Sequence, residues 1–445
     1  MIDTCSLVIR QSKNNTNTLY LPHSIVENLS GPIKPAVTIK LGPIMFDAEV
    51  SEIRTENYCT IETTHTAFPE TIKLDSILLQ YVEYHNLFSF GPFTAMIVLD
   101  TSLRSLHTFS KECVAWYKQQ GGHFFIIPAS SFLKGELEGY FYNEEENKWG
   151  LSSIITPDVF YNRIHSRKLE KHSSYKQALN YWKNKGVHIF NEFFLKKSEV
   201  YDLLAQENQL KAYLPETRTG LQELSSMVTK HKDIFIKEDQ GSQGKKIIRM
   251  QQKENHYKIY QNSFHSKSPL TISSLQDANT QINTWCESGS YIIQETIPFC
   301  CFKDKQLDFR ILCHLNKVHN WMIVSSVARI AADNQFVSNL DRGGEILKPL
   351  AVLSHLFSKQ SGEKVFSVIK ELALETARTL SESSSTVLAE VGIDIGIDKS
   401  GKPWIIEVNS KPSKQAYSEI KGVRPSVKAL YEYSKNLWIE RSTHL

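Results

Sequence analysis

Short apolar runs broken by turn residues predict strands over the first 90 residues. The runs alternate with a period of two or are continuously apolar, and each ends at Gly, Pro, Asn or Asp. No cluster of acids, His or Cys with catalytic spacing occurs among them. We therefore predict a small β domain over residues 1–90, with strands at residues 6–10, 36–41, 44–50, 58–63 and 77–82.

The pattern changes at residue 91. A buried-strand run at 94–100, helical spacing at 105–120 and a second apolar run at 123–128 predict a parallel β-α-β unit. We assign residues 91–190 to an α/β domain of this kind. Near its end, the run Pro-Asp-Val-Phe-Tyr-Asn-Arg-Ile (157–164) favours a capped helix start. The alternative is that Asp158, Asn162 and Arg163 line a substrate pocket.

Helical and strand patterns then alternate from residue 191 to the end. The most informative stretch is an Ile- and Val-rich pair of strands around the turn 399–402. If this turn is centred between Ser400 and Gly401, Asp394 lies directly across from Glu407, with Asn409 diagonally adjacent.

Two facing carboxylates repel each other unless a cation compensates them. Carboxylate and amide oxygens without Cys or His favour Mg²⁺ over zinc. Asp394, Glu407 and Asn409 are therefore predicted to hold Mg²⁺. The alternative, which the hairpin by itself leaves open, is a solvated hairpin whose acids face water.

A glycine-rich loop follows the predicted strand 233–238. Gly241, Ser242, Gln243 and Gly244 allow backbone N–H groups to approach phosphate oxygens, and Lys237 precedes them on the strand. The loop lacks Walker A spacing, and a strand follows it where a Walker A helix would begin. An ordinary hairpin is the alternative.

The remaining candidates are polar residues on predicted strands. Gln294 and Glu295 close a strand, where they suit either a hinge that binds adenine or an ordinary strand end. Asp308 and Arg310 share one face by the period of two. Arg310, Arg329 and Arg342 offer donors suited to a phosphate or a developing oxyanion, or else form surface ion pairs.

Composition restricts the class of protein. The chain has 445 residues, 41% hydrophobic and 22% charged, which is typical of a soluble protein of two or three domains. A net charge of +3 is too small to indicate a nucleic-acid-binding surface. No run reaches the roughly eighteen apolar residues of a membrane span. Seven scattered cysteines indicate neither a disulfide framework nor a zinc site. We expect a cytoplasmic protein with no nucleic-acid or membrane partner.

The order of these motifs resembles the ATP-grasp superfamily. The part from Asp308 to Asn409 resembles ligases that add glutamate to a ribosomal protein C-terminus. The whole chain is more similar to the YheC/YheD family of endospore coat-associated ATP-grasp proteins. That similarity lies in residues 157–164, 214–217 (Leu-Pro-Glu-Thr), 241–244 and 407–412. One departure is that Lys411-Pro412 replaces the N-x-x-P-G ending of the glutamate-adding ligases, so their substrate handling does not carry over.

The resemblance implies a fold of mixed α/β and α+β character. Two α+β subdomains over residues 191–445 would clasp ATP behind a Rossmann-like pre-grasp domain at 91–190 and the β domain at 1–90. It also implies a role for each candidate residue. ATP would contact Lys197, Lys237, Gly241, Ser242, Gln243, Gly244, Gln294, Glu295 and Ile297; Mg²⁺ would contact Asp394, Glu407 and Asn409; the reacting groups would meet Arg310, Arg329, Asn339 and Arg342.

The activity implied is an ATP- and Mg²⁺-dependent ligase that joins a carboxylate to an amine or a thiol through an acyl phosphate. Small-molecule or peptide acids and amines would be the substrates, and spore-coat proteins would be further partners of a spore-associated protein. Two alternatives remain open: a non-catalytic spore-associated binding protein that retains the fold, and a kinase with the same phosphate-binding residues.

Overall fold

A computed structural model describes residues 2–29, 33–53, 56–66, 68, 71–143, 146–241, 247–261, 269–286, 289–316, 320–331, 344–414 and 422–443. Within these ranges the strands form a closed barrel and three open sheets, in chain order. No helix in the same ranges is both long and apolar enough to cross a membrane.

The N-terminal part is a closed barrel with strand order β1-β5-β2-β4-β3-β7-β6. Leu7, Leu19, Ile39 and Ile61 are fully buried in its core. The five predicted strands are present, but β2 and β7 were missed. β7 is buried along its whole length and so lacks the alternation that marks a half-buried strand. The elements are β1 Ile2–Gln11, β2 Thr18–Pro22, α1 His23–Asn28, β3 Ala36–Leu41, β4 Ile44–Ile53, β5 Tyr58–Thr63, β6 Thr71–Val82 and β7 Leu87–Gly91.

The middle sheet has the order β11-β10-β9-β8-β12-β13. β8 pairs in parallel with both β9 and β12, which confirms the predicted β-α-β unit. The elements are β8 Phe93–Val98, α2 His107–Gln120, β9 His123–Pro128, α3 Ala129–Lys134, β10 Glu138–Asn143, β11 Lys148–Ser153, β12 Val159–Asn162, α4 Arg167–Lys171, α5 Ser173–Asn184 and β13 His188–Phe190.

The predicted helix start at 157–164 is wrong. Residues Val159–Asn162 form strand β12, buried on both faces between β8 and β13. A strand inside a parallel sheet is covered on both sides, so its apolar run carries no period that separates it from a helix. Its carboxyl end, where Arg163 follows, therefore opens at an edge of the sheet.

The third sheet has the order β14-β19-β15-β16-β17-β18 and is antiparallel at each pairing. The helix predicted over 197–210 is interrupted, because Glu207 is extended. The elements are α6 Lys197–Ala205, α7 Asn208–Lys211, β14 Thr217–Thr219, α8 Leu224–His231, β15 Asp233–Glu238, β16 Ile248–Gln252, β17 Tyr257–Gln261, β18 Leu270–Ile272, α9 Leu275–Trp285 and β19 Tyr291–Glu295.

The fourth sheet has the order β23-β22-β21-β24-β25, with β20 paired to β21 at its end. The long helix α11 covers it with Ile369, Leu372, Ala373 and Leu380, whose spacing of three and four residues forms one buried stripe. The elements are β20 Cys301–Phe302, β21 Lys305–Leu315, β22 Trp321–Ile330, β23 Glu345–Leu347, α10 Pro349–Leu356, α11 Lys359–Ser383, β24 Glu390–Ile397 and β25 Pro403–Asn409.

The C-terminal helix, α12 Pro425–Thr443, returns to the first half of the chain. The Tyr431 hydroxyl donates to the carbonyls of Gln120 and Gly121, at the end of α2. Lys40 of the barrel donates to the Ser442 hydroxyl. The domain boundaries at residues 90 and 190 stay a prediction. Helix α12 connects the predicted domain 191–445 to the predicted domains 1–90 and 91–190.

Candidate active site

The hairpin β24–β25 places Asp394 directly opposite Glu407, as predicted. The loop itself is centred on Ser400, since Ile397 pairs with Pro403. A bulge after Asp394 then shifts the register by one residue and brings the two acids into line. Asn409 lies diagonally adjacent, with its Nδ2 3.5 Å from Oδ2 of Asp394.

Two arginines neutralise Asp394. Arg310 stands opposite it on β21 and binds it with two nitrogens, the Nη2–Oδ2 distance being 2.8 Å. Arg329 on β22 reaches the same carboxylate with Nη2 at 3.0 Å and donates from Nε to Asp308 at 2.6 Å. Burial by itself would raise the pKa of Asp394, but the two guanidinium groups outweigh it and the pKa is lowered.

Glu407 is neutralised from the other side. Lys197, the first residue of α6, places Nζ 2.9 Å from Oε1 of Glu407 and 2.6 Å from the carbonyl of Gly241. The backbone N–H of Lys197 donates to the carbonyl of Asp239, which holds the start of α6 beside the end of β15. The opposed acids are therefore paired with cations. This corrects the alternative in which both acids face water, since Asp394 is only 5% exposed.

Lys237 projects from β15 away from the core residue Ile236 and points into the same cavity. Its ammonium donates to Oε1 of Gln294 at 2.6 Å. Burial, opposed by the charge of Glu407 and assisted by that of Lys197, lowers the pKa of Lys237 to about 8. A cavity that holds a poorly solvated lysine is suited to an anionic ligand.

The predicted hinge residues lie at one wall of the cavity, but Glu295 points away from its centre. Its Oε1 accepts from the backbone N–H of Glu216 at 2.7 Å, and its Oε2 lies 3.1 Å from Nδ1 of His231. Gln294 is held between Lys237 and the Thr217 hydroxyl, which accepts from its Nε2 at 3.0 Å. The Gln294 amide and the Glu295 carboxylate are therefore both held by hydrogen bonds or ion pairs.

One cavity of about 990 Å³ brings most of the predicted residues together. It is bounded by the third and fourth sheets and by the carboxyl end of the middle sheet. Ser242, Gln243, Gly244, Asn339 and Arg342 lie outside the described residues. The predicted residues on its wall are Lys197, Lys237, Gly241, Gln294, Glu295, Ile297, Arg310, Arg329, Asp394, Glu407 and Asn409.

The sequence reasoning missed the basic end of the cavity. His165, Arg167, Lys411 and Lys414 line it, together with Arg163, for which a structural role was favoured. The sequence could have pointed to Arg163, because this residue directly follows a buried parallel strand and ligands bind at the carboxyl ends of such strands. Asp158 and Asn162, the other two candidates in residues 157–164, do not line the cavity.

Those two residues have structural partners. Asp158 accepts from the backbone N–H of Phe93 at 2.9 Å and pairs with Lys40 at 3.6 Å. Asn162 donates to the carbonyls of Asn191 and Glu192 at 3.1 and 2.9 Å. The pocket hypothesis for 157–164 therefore applies to Arg163 alone.

The acid pair and Asn409 fit the coordination chemistry of Mg²⁺. The ion takes oxygen ligands and is usually held by one or two carboxylates together with substrate phosphates. No group of three or more His, Cys, Asp or Glu side chains that could hold a metal ion occurs in the described part of the chain. The acid pair and Asn409 would therefore need further oxygen ligands, which phosphate groups can supply.

A family model described as YheC/D-like ATP-grasp matches residues 186–437. The chain belongs to this family. Residues 186–437 contain the third and fourth sheets, the acid pair and both lysines, so these features belong to an ATP-grasp fold.

Known proteins similar to this family member include two from Bacillus subtilis strain 168. The endospore coat-associated protein YheD is 24% identical over 343 residues, which is 74% of this chain and 73% of YheD. The endospore coat-associated protein YheC is 24% identical over 288 residues, which is 62% of this chain and 76% of YheC. Among solved structures, the D-cycloserine synthetase DcsG aligns with a TM-score of 0.48 and 11% identity over 77% of this chain and 99% of DcsG.

Replacing Lys237 with methionine should stabilise the ligand-free ATP-grasp protein and change how its stability depends on pH. With a folded pKa of about 8 and an unfolded pKa near 10.4, the unfolded state binds more protons at pH 9. The wild type should therefore gain about 1 kcal/mol of unfolding free energy from Lys237 between pH 7 and pH 9.

Urea unfolding of both proteins at the two pH values measures this gain. Lys237→Met should lack this gain, whereas Lys253→Met, at an exposed position directly after β16, should keep it. An equal pH dependence in wild type and Lys237→Met would contradict the prediction.

Proposed function

We propose that this protein is an ATP- and Mg²⁺-dependent ligase that joins a carboxylate to an amine or a thiol. The observation that carries the proposal is the single cavity in which the opposed acids Asp394 and Glu407 meet Lys197, Lys237 and Arg310. Opposed acids with cations at hydrogen-bond distance suit a ligand that brings both charges, namely a metal ion with phosphate groups.

The lysines suit the phosphate groups of the nucleotide. Lys197 already bridges Glu407 and the first glycine of the loop, and Lys237 lies half-buried on β15 with its side chain on the cavity wall. Mg²⁺ would supply the counter-charge that Lys197 gives Glu407 in the ligand-free protein, and the Lys197 ammonium would then be available to bind a phosphate oxygen. Gln294, Glu295 and Ile297, at the end of the strand that pairs with the strand of Lys237, would accommodate the adenine.

Asp394, Glu407 and Asn409 would hold Mg²⁺. The ion would neutralise charge on the phosphate oxygens during phosphoryl transfer. Arg310 and Arg329 keep Asp394 ionised, because both guanidinium groups hold the pKa of that carboxyl down. Asp394 is thus ionised at neutral pH, the form that a metal ion would bind.

The reaction has two steps. The substrate carboxylate takes the γ-phosphoryl group of ATP, which gives an acyl phosphate and ADP. An amine or thiol then attacks the acyl carbon, the bond to phosphate breaks, and the amide or thioester forms with loss of a proton. Arg310 lies at the acid pair with its guanidinium in the cavity, where it would stabilise the tetrahedral oxyanion.

The test is incubation of the full chain with ATP, Mg²⁺ and a panel of amino acids, short peptides and coat-protein extracts. ADP release and new condensation products are followed by chromatography and mass spectrometry. A ligase gives ADP and condensation product together, whereas a kinase gives a stable phosphorylated product. Nucleotide binding without ADP release would reject the enzyme in favour of a binding protein that retains the fold.

We place the activity in the cytoplasm of a spore-forming cell, with spore-coat proteins as candidate partners. The support is the family and the printed descriptions of YheD and YheC as endospore coat-associated. Fractionation of sporulating cells with an antibody against this protein, comparing mother-cell cytosol and purified spores, checks the placement.

A further inference from the structure

Arg163 is a buried guanidinium that has no hydrogen-bonded counter-ion among the described residues. It is 1% exposed, and its Nε and Nη1 are buried with no hydrogen-bond partner there. It also lies on the wall of the candidate active-site cavity. A buried charge without a hydrogen-bonded partner costs several kcal/mol, so such a group is retained where a ligand compensates it.

The backbone around Arg163 is rigidly held. Its N–H donates to the carbonyl of Ile97 on the neighbouring strand at 2.8 Å. The side-chain oxygen of Asn162 accepts from the N–H of Ile164 at 3.0 Å, and its amide anchors two further carbonyls. The guanidinium stands 5.6 Å from the centre of the Tyr161 ring. The arginine is therefore positioned before any ligand arrives.

The nearby lysines are already neutralised by buried acids. Lys411 is bound to Glu170, and Lys414 to Glu390. Arg163 is close enough to lower the pKa of Glu390, after the larger influences of burial, Lys414 and His314. The carboxylate oxygens of Glu390 are nevertheless occupied by Lys414 and by the Tyr161 hydroxyl.

Positive charge is therefore in excess at this end of the cavity. Arg167 adds a second guanidinium, which stacks 4.5 Å from the Phe194 ring and donates to the carbonyl of Leu195. His165 adds no charge at neutral pH, because burial and the charges of Arg163 and Lys411 lower its pKa to about 3. After the two ion pairs are counted, Arg163 and Arg167 have no acid at ion-pair distance among the described residues. Burial lowers the pKa of Arg167, and Glu170, Glu407, Asp239 and Glu238 oppose this shift from farther away.

We infer that the acid substrate carries a second anionic group, a carboxylate or a phosphate, and that Arg163 binds it with Arg167 alongside. The inference rests on the proposed ligase function and adds the substrate class. The reacting carboxylate belongs near Arg310 on the fourth sheet, whereas Arg163 projects from the middle sheet at the basic end of the same cavity. Both groups are oxyanions that arginine donors recognise.

The test uses three probes with a carboxylate at one end and the same number of chain atoms: pentanoate, glutarate and 4-phosphonobutyrate, which end in a methyl group, a carboxylate and a phosphonate. Isothermal titration calorimetry measures their binding to the full chain in the presence of ADP and Mg²⁺. At least one of the two dianions should bind about tenfold or more tightly than pentanoate, as expected for hydrogen bonds to a charged group. The tighter of the two identifies a carboxylate or a phosphate site.

Arg163→Gln should remove this preference, Arg163→Lys should restore part of it, and Arg378→Gln, exposed on α11, should leave it intact. Arg163→Gln should also unfold at no lower temperature than wild type without ligand, which separates lost binding from lost folding. Two results would overturn the proposed Arg163 subsite for a second anionic group. One is equal binding of all three probes to the wild type, and the other is an undiminished preference for a dianion in Arg163→Gln.

Failure of the subsite and failure of the ligase are distinguishable. A dianion preference that depends on Arg163, without ADP release from ATP under any condition, keeps the subsite and rejects the ligase. ADP release that depends on an acid substrate, with the same dependence in Arg163→Gln, keeps the ligase and rejects the subsite.

Discussion

We expect Glu407→Gln to reduce ATP-dependent ADP formation at least about 100-fold, which corresponds to roughly 2.7 kcal/mol of transition-state stabilisation. Glutamine keeps the size of the side chain and can still accept from Lys197, which lies 2.9 Å from Oε1. It removes the negative charge that Mg²⁺ needs beside Asp394. Steady-state ADP release at saturating ATP, with excess Mg²⁺ and the most active acid of the panel, measures the loss.

The matched control is Glu371→Gln, an exposed acid on α11 outside the cavity. It should retain the wild-type rate. Circular dichroism should show the same spectrum for both variants. A Glu407→Gln protein that turns over ATP at the wild-type rate would reject the role of the acid pair and with it the proposed mechanism.

The second large effect concerns stability. We expect Lys411→Met to lower the unfolding free energy by roughly 3–5 kcal/mol, since it leaves the Glu170 carboxylate buried without its cation. The Lys411 side chain is fully buried and that of Glu170 is 5% exposed. Burial lowers the pKa of Lys411 to about 8, against the opposing attraction of Glu170, so the Lys411 ammonium is charged at pH 7.

Urea unfolding of the ligand-free protein at pH 7 measures this loss. The double variant Lys411→Met/Glu170→Gln should recover part of it, because it removes both buried charges. Lys171→Met, an exposed position on α4, should remain within about 0.5 kcal/mol of wild type. A Lys411→Met protein as stable as this control would show that the ion pair does not join β25 to the middle of the chain.

The same ion pair gives a physical reason for the departure at residues 411–412. Lys411 follows the last strand of the fourth sheet and reaches Glu170 on α4, and its ammonium also donates to the carbonyl of Ile164 at 3.1 Å. Arg163 precedes that carbonyl by one residue. The strand that carries Glu407 and Asn409 is thereby fixed against the segment that carries the basic end of the cavity.

The sequence by itself determined most elements and the central pairing. Strand β9, at His123–Pro128, and strand β15, at Asp233–Glu238, begin and end where the pattern predicted. The predicted facing of Asp394 and Glu407 is present, but the predicted turn centre between Ser400 and Gly401 is wrong, because the loop is centred on Ser400 and only the bulge after Asp394 brings the two acids opposite each other. Periodicity and turn residues are local properties, so they can be read along the chain.

Tertiary structure alone decided the rest. Barrel closure, the return of α12 and the position of Arg163 at the cavity wall depend on which strands become neighbours, and no local pattern encodes that choice. Strand β12 was misread because a strand covered on both faces has no period. The counter-charges of the acid pair come from strands and a helix far apart in the sequence, so only the folded chain shows that Arg310, Arg329 and Lys197 supply them.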